Sequence, residues 1–409
     1  VYRNGVAREY KLEMGSICEV DERPRTSNAG GMVSIRRGAT RNPDPIEAAE
    51  HLAVQLGGRD AGAVVFFASA RYDLERLEAV LEDRFEGAQL LGCTTAGELS
   101  TDGYAENSLV GMSFSKSDFV VVSDHCDGIA AASLLQLCEL VQSLMRRMQI
   151  RAPGSKPQNT FAMLLIDGLA GSEEPVLSAI SRELGEIPLV GGSAGDDLRF
   201  RETVVFHDGA FRTGAAVLAL VHTLVPFEVF KTQHIRSTDT KMVITEADPV
   251  RRVVSEINAE PAAREYARLS GIEREGLAPM ELATHPLSVR VGGDDYVRSI
   301  RSVNDDESMT FYCAIDEGIV LSAARASDML ADLRALFARI ESSVGKPTAV
   351  LGFDCIFRKL ELQQSGLQAS ASRILSANNV IGFSTYGEQF HAMHLNQTFS
   401  GVAFGSRLP

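Results

Sequence analysis

Three stretches of this chain end in the same way. They are QLLGCTTAGELS (Gln89–Ser100), PLVGGSAGDDL (Pro188–Leu198) and NVIGFSTYGEQF (Asn379–Phe390). Each passes from an apolar pair through a glycine and a Ser or Thr to a second glycine and an acid. An apolar run precedes each one: Ala63–Ala70, Phe161–Gly168 and Ala349–Cys355. A helix-period segment fills each gap: LERLEAVLEDRF, PVLSAISRELG and GLQASASRILSAN. Another apolar run follows each motif: Leu109–Phe114, Ala215–Leu220 and Gly401–Gly405. Repetition of this kind sets the architecture before any single residue does.

The repeating unit reads as strand, helix, glycine-rich strand end, then a further strand. Continuous apolar runs are what strands show when both faces of a sheet are covered. A strand–helix–strand crossover favours parallel pairing and a right-handed connection. The expected fold class is α/β, with two repeated strand–helix–strand units in the N-terminal half and one in the C-terminal half. Mixed sheets and an α+β insertion complete it.

The insertion occupies roughly 231–341. Asp248 and Pro249 read as the cap and first turn of a helix running through DPVRRVVSEINAEPAAREYARL, broken at Pro261. LSVRVGGDDYVRSIRSVN alternates about a Gly-Gly-Asp-Asp turn, which signals a hairpin. SMTFYCAIDEGIVLSAA extends that sheet, and SDMLADLRALFARIESSV is a long helix leading into the third unit. Residues 1–31 carry no clear period, and Met32 opens a stretch that reads as a natural start. The expectation there is a loosely ordered extension.

Bulk properties narrow the function. The net charge of −14 disfavours nucleic acid and anionic lipid, which call for a basic patch. No run of about 18 apolar residues exists for a membrane span. The six cysteines (Cys18, Cys93, Cys126, Cys138, Cys313 and Cys355) show no C-x-x-C spacing. This leaves no zinc, iron–sulfur or covalent haem motif and fits a reducing, cytoplasmic compartment. Catalytic motifs are absent too. Gly192–Gly195 is one residue short of a nucleophile elbow, and Gly382, Ser384 and Gly387 are misspaced for one. Asp167 and Asp354 end strands without a repeating histidine partner, so the expectation is a binding protein rather than an enzyme.

The motifs LGCTTAGELS, VGGSAGDDL and GFSTYGEQ, in that order, resemble the FIST N and FIST C domains of bacterial signal-transduction sensors. The resemblance covers residues 41 to 409. It implies a FIST N domain at 32–236 holding two units and a FIST C domain at 237–409 holding the third. PFEVFKTQHIRSTDTKMVITEADP, RSVNDDESMTFYCAIDEGIVLSAA and HLNQTFSGVAFG look similar to the NosP group, the nitric-oxide-sensing haem proteins. That narrower likeness implies a haem b cofactor, nitric oxide as ligand and a partner histidine kinase regulated by contact. The other reading it leaves open is a haem-free sensor of a small molecule such as an amino acid, or an adaptor without a ligand. Assembly into a homo-oligomer stays open.

A haem needs an axial ligand, an apolar slot and cations for its propionates. His234 is the first candidate, with Lys231 and Arg236 beside it for the propionates. His394, in HAMHLNQTF, is the alternative ligand, although an extended chain sets His391 and His394 on opposite sides. Phe227, Phe230, Phe311, Tyr312 and Phe353 are candidate lining aromatics, and Cys313 and Cys355 are distant thiolate alternatives. His51, His125, His207, His222 and His285 lack a supporting cluster. At the glycine-rich ends, Thr94, Thr95, Ser193, Ser384 and Thr385 are candidate pocket donors, because ligands gather beyond the carboxyl ends of parallel strands. Glu98, Asp196 and Glu388 close those motifs.

Overall fold

The computed structural model describes residues 34–406, apart from 274–276 and 278. The expectation for residues 1–31 lies outside the described residues.

The repeat is real and longer than its motif. The first unit runs β1 (Ile35–Thr40), α1 (Pro45–Leu56), β2 (Ala61–Ser69), α2 (Leu74–Arg84), β3 (Gln89–Thr95), a hairpin of β4 (Glu98–Ser100) and β5 (Gly103–Ala105), and β6 (Leu109–Ser115). The second has the same order: β7 (Phe119–Asp127), α3 (Leu134–Arg151), β8 (Thr160–Ile166), α4 (Glu173–Leu184), β9 (Leu189–Ser193), the hairpin β10 (Val205–His207) and β11 (Ala210–Arg212), and β12 (Ala215–Thr223). The third opens with β13 (Phe227–Thr232), and the insertion then interrupts it.

The insertion comprises β14 (Ile235–Asp248), β15 (Val253–Ile257), β16 (Glu260–Pro261), α5 (Ala262–Ser270), α6 (Pro279–Thr284), β17 (Leu287–Val291), β18 (Asp294–Arg298), β19 (Ile300–Val303), β20 (Met309–Phe311) and β21 (Val320–Ala326). The third unit resumes with α7 (Met329–Val344), β22 (Ala349–Cys355), α8 (Ile356–Gln364), α9 (Gln368–Ala377), β23 (Val380–Thr385), the hairpin β24 (Glu388–Phe390) and β25 (Met393–Leu395), and β26 (Phe399–Phe404).

In every unit the crossover pair is parallel: β2 with β3, β8 with β9, β22 with β23. The closing strand returns antiparallel on the first of them. The hairpins do not stay at home. β4–β5 of the first unit joins the third sheet, beside β23. β10–β11 of the second joins the first sheet, beside β3. β24–β25 of the third joins the second sheet, beside β9. Three six-stranded sheets of identical order result, each completed by another unit. The inserted strands form a fourth sheet.

Period-two alternation explains the layers. Ala63, Val65 and Phe67 of β2 point into one cluster shared by all three sheets, with Met163, Leu165, Phe353 and Phe383. Val64, Phe66 and Ala68 point the other way, under Leu52 of α1 and Leu77 of α2. Helices α3 and α4 cover the second sheet, and α7 and α9 the third. The helices start where the chain supplies caps. Asp44 accepts from the amides of Ile46 and Glu47, Ser133 closes a capping box with Gln136, and Asp328 accepts from Leu330 and Ala331.

One expected helix is partly replaced. Asp248 caps a turn, accepting from Arg251 N at 3.0 Å, rather than a helix. The next residues form β15, whose Val254 and Ile257 are buried in the core of the insertion. The β-branched Val253, Val254 and Ile257 suit a strand, and Asn258 and Ala259 turn in left-handed backbone before α5. The expected hairpin is present as β17–β18, turned by Gly292 and Gly293, both at positive φ.

Candidate functional site

The loop after β8, the start of α8 after β22 and Tyr386 after β23 converge at the carboxyl ends of the central strands of the second and third units. The inserted sheet roofs them. A cavity of about 300 Å³ lies between. Its floor includes Gly168 and Gly171, its walls Phe200, Phe357 and Tyr386, and its roof Arg251, Arg252, Arg301 and Tyr312.

The aromatic wall is held in place. Tyr386 stacks on Phe200, with centroids 4.9 Å apart at 20°. Its hydroxyl donates to Asp196 and accepts from Leu198 N at 2.9 Å. Asp196 also accepts from the amides of Phe200, Arg201 and Glu202. Burial pushes that carboxyl up, but Tyr386 and the three amides outweigh it and hold it below its ordinary value. Asp197, Leu198 and Phe200 all carry positive φ, so this loop has a conformation that its hydrogen bonds must impose. Leu169, Leu198, Phe200 and Val250 stand exposed around the mouth as an apolar lip.

His394 lines the cavity at 4% exposure. Among the described residues its side chain makes no hydrogen bond, and its buried Nδ1 lacks a partner. A buried imidazole nitrogen without a partner is uncommon in folded proteins. Gly387 makes room for it, since a Cβ there would lie 2.2 Å from His394 Cε1. Glu174 is close by. It takes Ala314 N at 2.6 Å and Arg252 at 2.6 Å. Burial raises this carboxyl, and His394, Arg252 and the Ala314 amide overcome that and lower it.

His234 lies elsewhere, at the root of the insertion, with no exposed surface. Its Nδ1 faces Arg358 Nη1 at 3.0 Å and its Nε2 faces Glu361 at 2.8 Å. A guanidinium only donates, so Nδ1 accepts and the proton sits on Nε2, donated to Glu361. Burial lowers the pKa of this imidazole, and the ring is neutral. Both nitrogens are occupied. Lys231 pairs with Asp294 at 3.7 Å and sits over the Tyr296 ring, while Arg236 pairs with Asp332 at 3.0 Å. None of the three borders the cavity.

The glycine-rich ends form the seam between units rather than the cavity wall. Thr94, Thr95, Ser193, Ser384 and Thr385 are all but fully buried. Thr95 donates to Glu98 at 2.5 Å, Thr385 donates to Glu388, and Ser193 accepts from Gln389 at 2.9 Å. Burial, against those donors, pushes Glu98 up to about 7 and Glu388 up to about 8. Of the five candidate aromatics, Phe311 and Tyr312 line the cavity, while Phe227, Phe230 and Phe353 pack in cores. Burial raises the Cys313 thiol to about 11 and drives Cys355 up as well, the opposite of an activated thiolate. Asp167 and Asp354 are engaged as structural acceptors of Thr203 and Gly214, and of Tyr104 and Arg358. His125 of β7 and His207 of β10 do meet, Nδ1 to Nδ1 at 3.0 Å, as a hydrogen-bonded pair.

Sequence reasoning missed Arg251, Arg252, Arg301, Glu173, Glu174, Phe200, Phe357 and Tyr386. The paired arginines read as the exposed side of a helix, and no local pattern ties Arg252 to partners 60 to 81 positions away.

Residues 62–260 match the FIST N domain and residues 262–391 match the FIST C domain. This is a FIST-domain protein. FIST domains are signal-transduction domains associated with sensing small molecules. No curated protein matches the chain. Among solved structures it is similar to a cyanuric acid hydrolase described as an evolutionary innovation by structural concatenation. Identity is 10%, coverage is 91% of this chain and 99% of that one, and the TM-score is 0.36. No helix among the described residues of this FIST protein is long and apolar enough to cross a membrane.

Proposed function

We propose that this FIST protein is a signal-transduction sensor rather than an enzyme, and that its small-molecule ligand occupies the cavity beneath the inserted sheet. The observation that carries the reading is His394: a deeply buried imidazole with an unpartnered nitrogen, on the wall of a cavity with an apolar lip. Output is by contact with a partner histidine kinase, in the cytoplasm.

The haem reading depends on which histidine is free. His234 does not fit a haem, because both its nitrogens are hydrogen-bonded and it does not border the cavity beneath the inserted sheet. The donor set around His394 does fit, with a free nitrogen, Phe311 and Tyr312 for the macrocycle and arginines nearby. There His394 would hold the iron of haem b, and the bound group would supply the binding position for nitric oxide. His394 itself supplies the imidazole, and Gly387 keeps the space it occupies.

The test is an absorbance spectrum of the protein expressed with a haem precursor, before and after dithionite and nitric oxide. The expected result is a Soret band that shifts with nitric oxide, survives His234→Ala and is lost in His394→Ala. A band that survives His394→Ala removes the assignment. Absence of a band in the wild type selects the haem-free reading, an amino acid. The exposed Arg251 and Arg301 at the same cavity suit that reading as well, since an amino acid brings a carboxylate. A thermal shift with amino acids tests it.

A further inference from the structure

The three guanidinium groups at the cavity are not equivalent. Arg252 is fully engaged: it donates to Gly171 O at 3.0 Å, to Glu174 at 2.6 Å, to Glu173 at 3.4 Å and to Tyr312 O. Arg251 and Arg301 have no side-chain hydrogen bond or ion pair among the described residues, and both are exposed toward the mouth. Of the carboxylates nearby, Glu173 and Glu174 are already turned to Arg252, while Asp306 feels the charge of Arg251 without pairing with it.

A pair of unengaged arginines beside a cavity is informative on a chain of net charge −14. The overall field repels anions, so an anionic ligand depends on local cations to enter. Guanidinium groups take carboxylates through paired, charge-assisted hydrogen bonds. The rest of the wall prefers a flat, apolar body. Tyr386 and Phe200 present stacked rings, and Tyr312 meets Phe357 edge to face at 5.5 Å.

Accepting the cavity as the ligand site proposed above, we infer that Arg251 and Arg301 are its anion-reading pair, and that the ligand is a planar conjugated molecule bearing carboxylate groups. The flat body lies against the aromatic wall with its carboxylates at the mouth. Arg252 is excluded from recognition by Glu173 and Glu174, and it ties the roof down instead. Two sources share this chemistry, a porphyrin with its propionates and a free aromatic dicarboxylate.

The purified full chain is titrated with metal-free protoporphyrin IX, its dimethyl ester, hemin and naphthalene-2,6-dicarboxylate, in the wild type and in an Arg251→Met, Arg301→Met double variant. Methionine keeps the apolar cover of the arginine stem, and circular dichroism checks the fold. If the porphyrin is the source, the diacid binds, the ester binds roughly tenfold or more weakly, and the double variant loses a similar factor for the diacid and hemin. His394→Ala then weakens hemin by a larger factor than metal-free porphyrin, which separates iron coordination from carboxylate reading. If the naphthalene diacid alone binds, and the double variant abolishes this, the inference stands while the haem assignment falls. Equal binding of ester and diacid, equal binding by the double variant, or no binding of any probe overturns the inference. The last outcome leaves the amino-acid thermal shift as a separate test of sensing.

Discussion

Glu388 carries a proton that the unfolded chain gives up, and replacing it with glutamine makes this measurable. Its carboxyl is fully buried and accepts from Thr385, from Thr398 N at 3.2 Å and from Thr398 Oγ1 at 2.6 Å, with no cation among these partners. Burial raises it to about 8, against about 4.3 in an unfolded chain. A raised carboxyl pKa means the folded state binds more protons across that interval, so stability falls as pH rises from about 4.5 to about 8. Up to about pH 6.5 this fall is opposed. His207 is depressed to about 4, and His222, His234 and His391 are lowered too, all chiefly by burial. A depressed histidine gains stability as pH rises toward its unfolded value of about 6.5. Above that point the histidine terms are flat and the carboxyl term remains. Integrating one proton from pH 6.5 to 8 with a folded pKa near 8 gives about 1.6 kcal/mol. Glu388→Gln keeps the shape and removes the titration. Urea unfolding at the two pH values is therefore expected to show a variant advantage that grows by about 1.6 kcal/mol. The same calculation for Glu98→Gln, whose folded value is about 7, gives about 0.8 kcal/mol. Stability curves that run parallel for wild type and Glu388→Gln refute the reasoning.

Two further perturbations act at the cavity. Gly387→Ala places a Cβ 2.2 Å from His394 Cε1, so the ring must move. Hemin binding, read at the Soret band, is expected to drop along with about 1–3 kcal/mol of stability, and an unchanged spectrum contradicts this. Arg252→Ala removes three of the four hydrogen bonds between the described residues of the insertion and the second unit, leaving Ala314 N to Glu174. Among the described residues every hydrogen bond from the insertion to the first two units ends on residues 171–174. Amide exchange is expected to quicken at 309–315 while β22 stays protected, and unchanged exchange at 309–315 counts against the roof being held there.

The units were legible because their physics is local. Apolar runs, a helix-period gap and a glycine turn are each contained in a few residues, and Val64 or Leu164 need only be buried on both sides to announce a central strand. The exchange of hairpins was not legible. β4 would satisfy its backbone beside another strand too, and its place beside β23 goes with long-range packing, Leu99 being buried with Val350, Val380 and Phe399. The site was harder still. His234 and His394 look alike as apolar-flanked histidines, and what separates them is whether Arg358 and Glu361, or a cavity, lies opposite. In the second unit Asp196 occupies the place of Glu98 and Glu388 in the motif yet braces a cavity loop instead. A shared pattern therefore hid two different tasks.

The circular exchange of hairpins sets an order on biosynthesis. The second sheet cannot be finished by the second unit, because the strand that flanks β9 is made near the end of the chain. Ser193 waits for Gln389, 196 positions later. The third sheet depends in turn on a hairpin made long before it. A ribosome that stalls after the second unit holds a chain with one sheet edge uncovered and one hairpin unhoused. Bare strand edges recruit other chains. Folding is thus expected to be post-translational and slow for its size, as contacts of such sequence separation dictate. Severing the chain between the two FIST domains would leave fragments that need each other to close, and that could find each other again by the same hairpins.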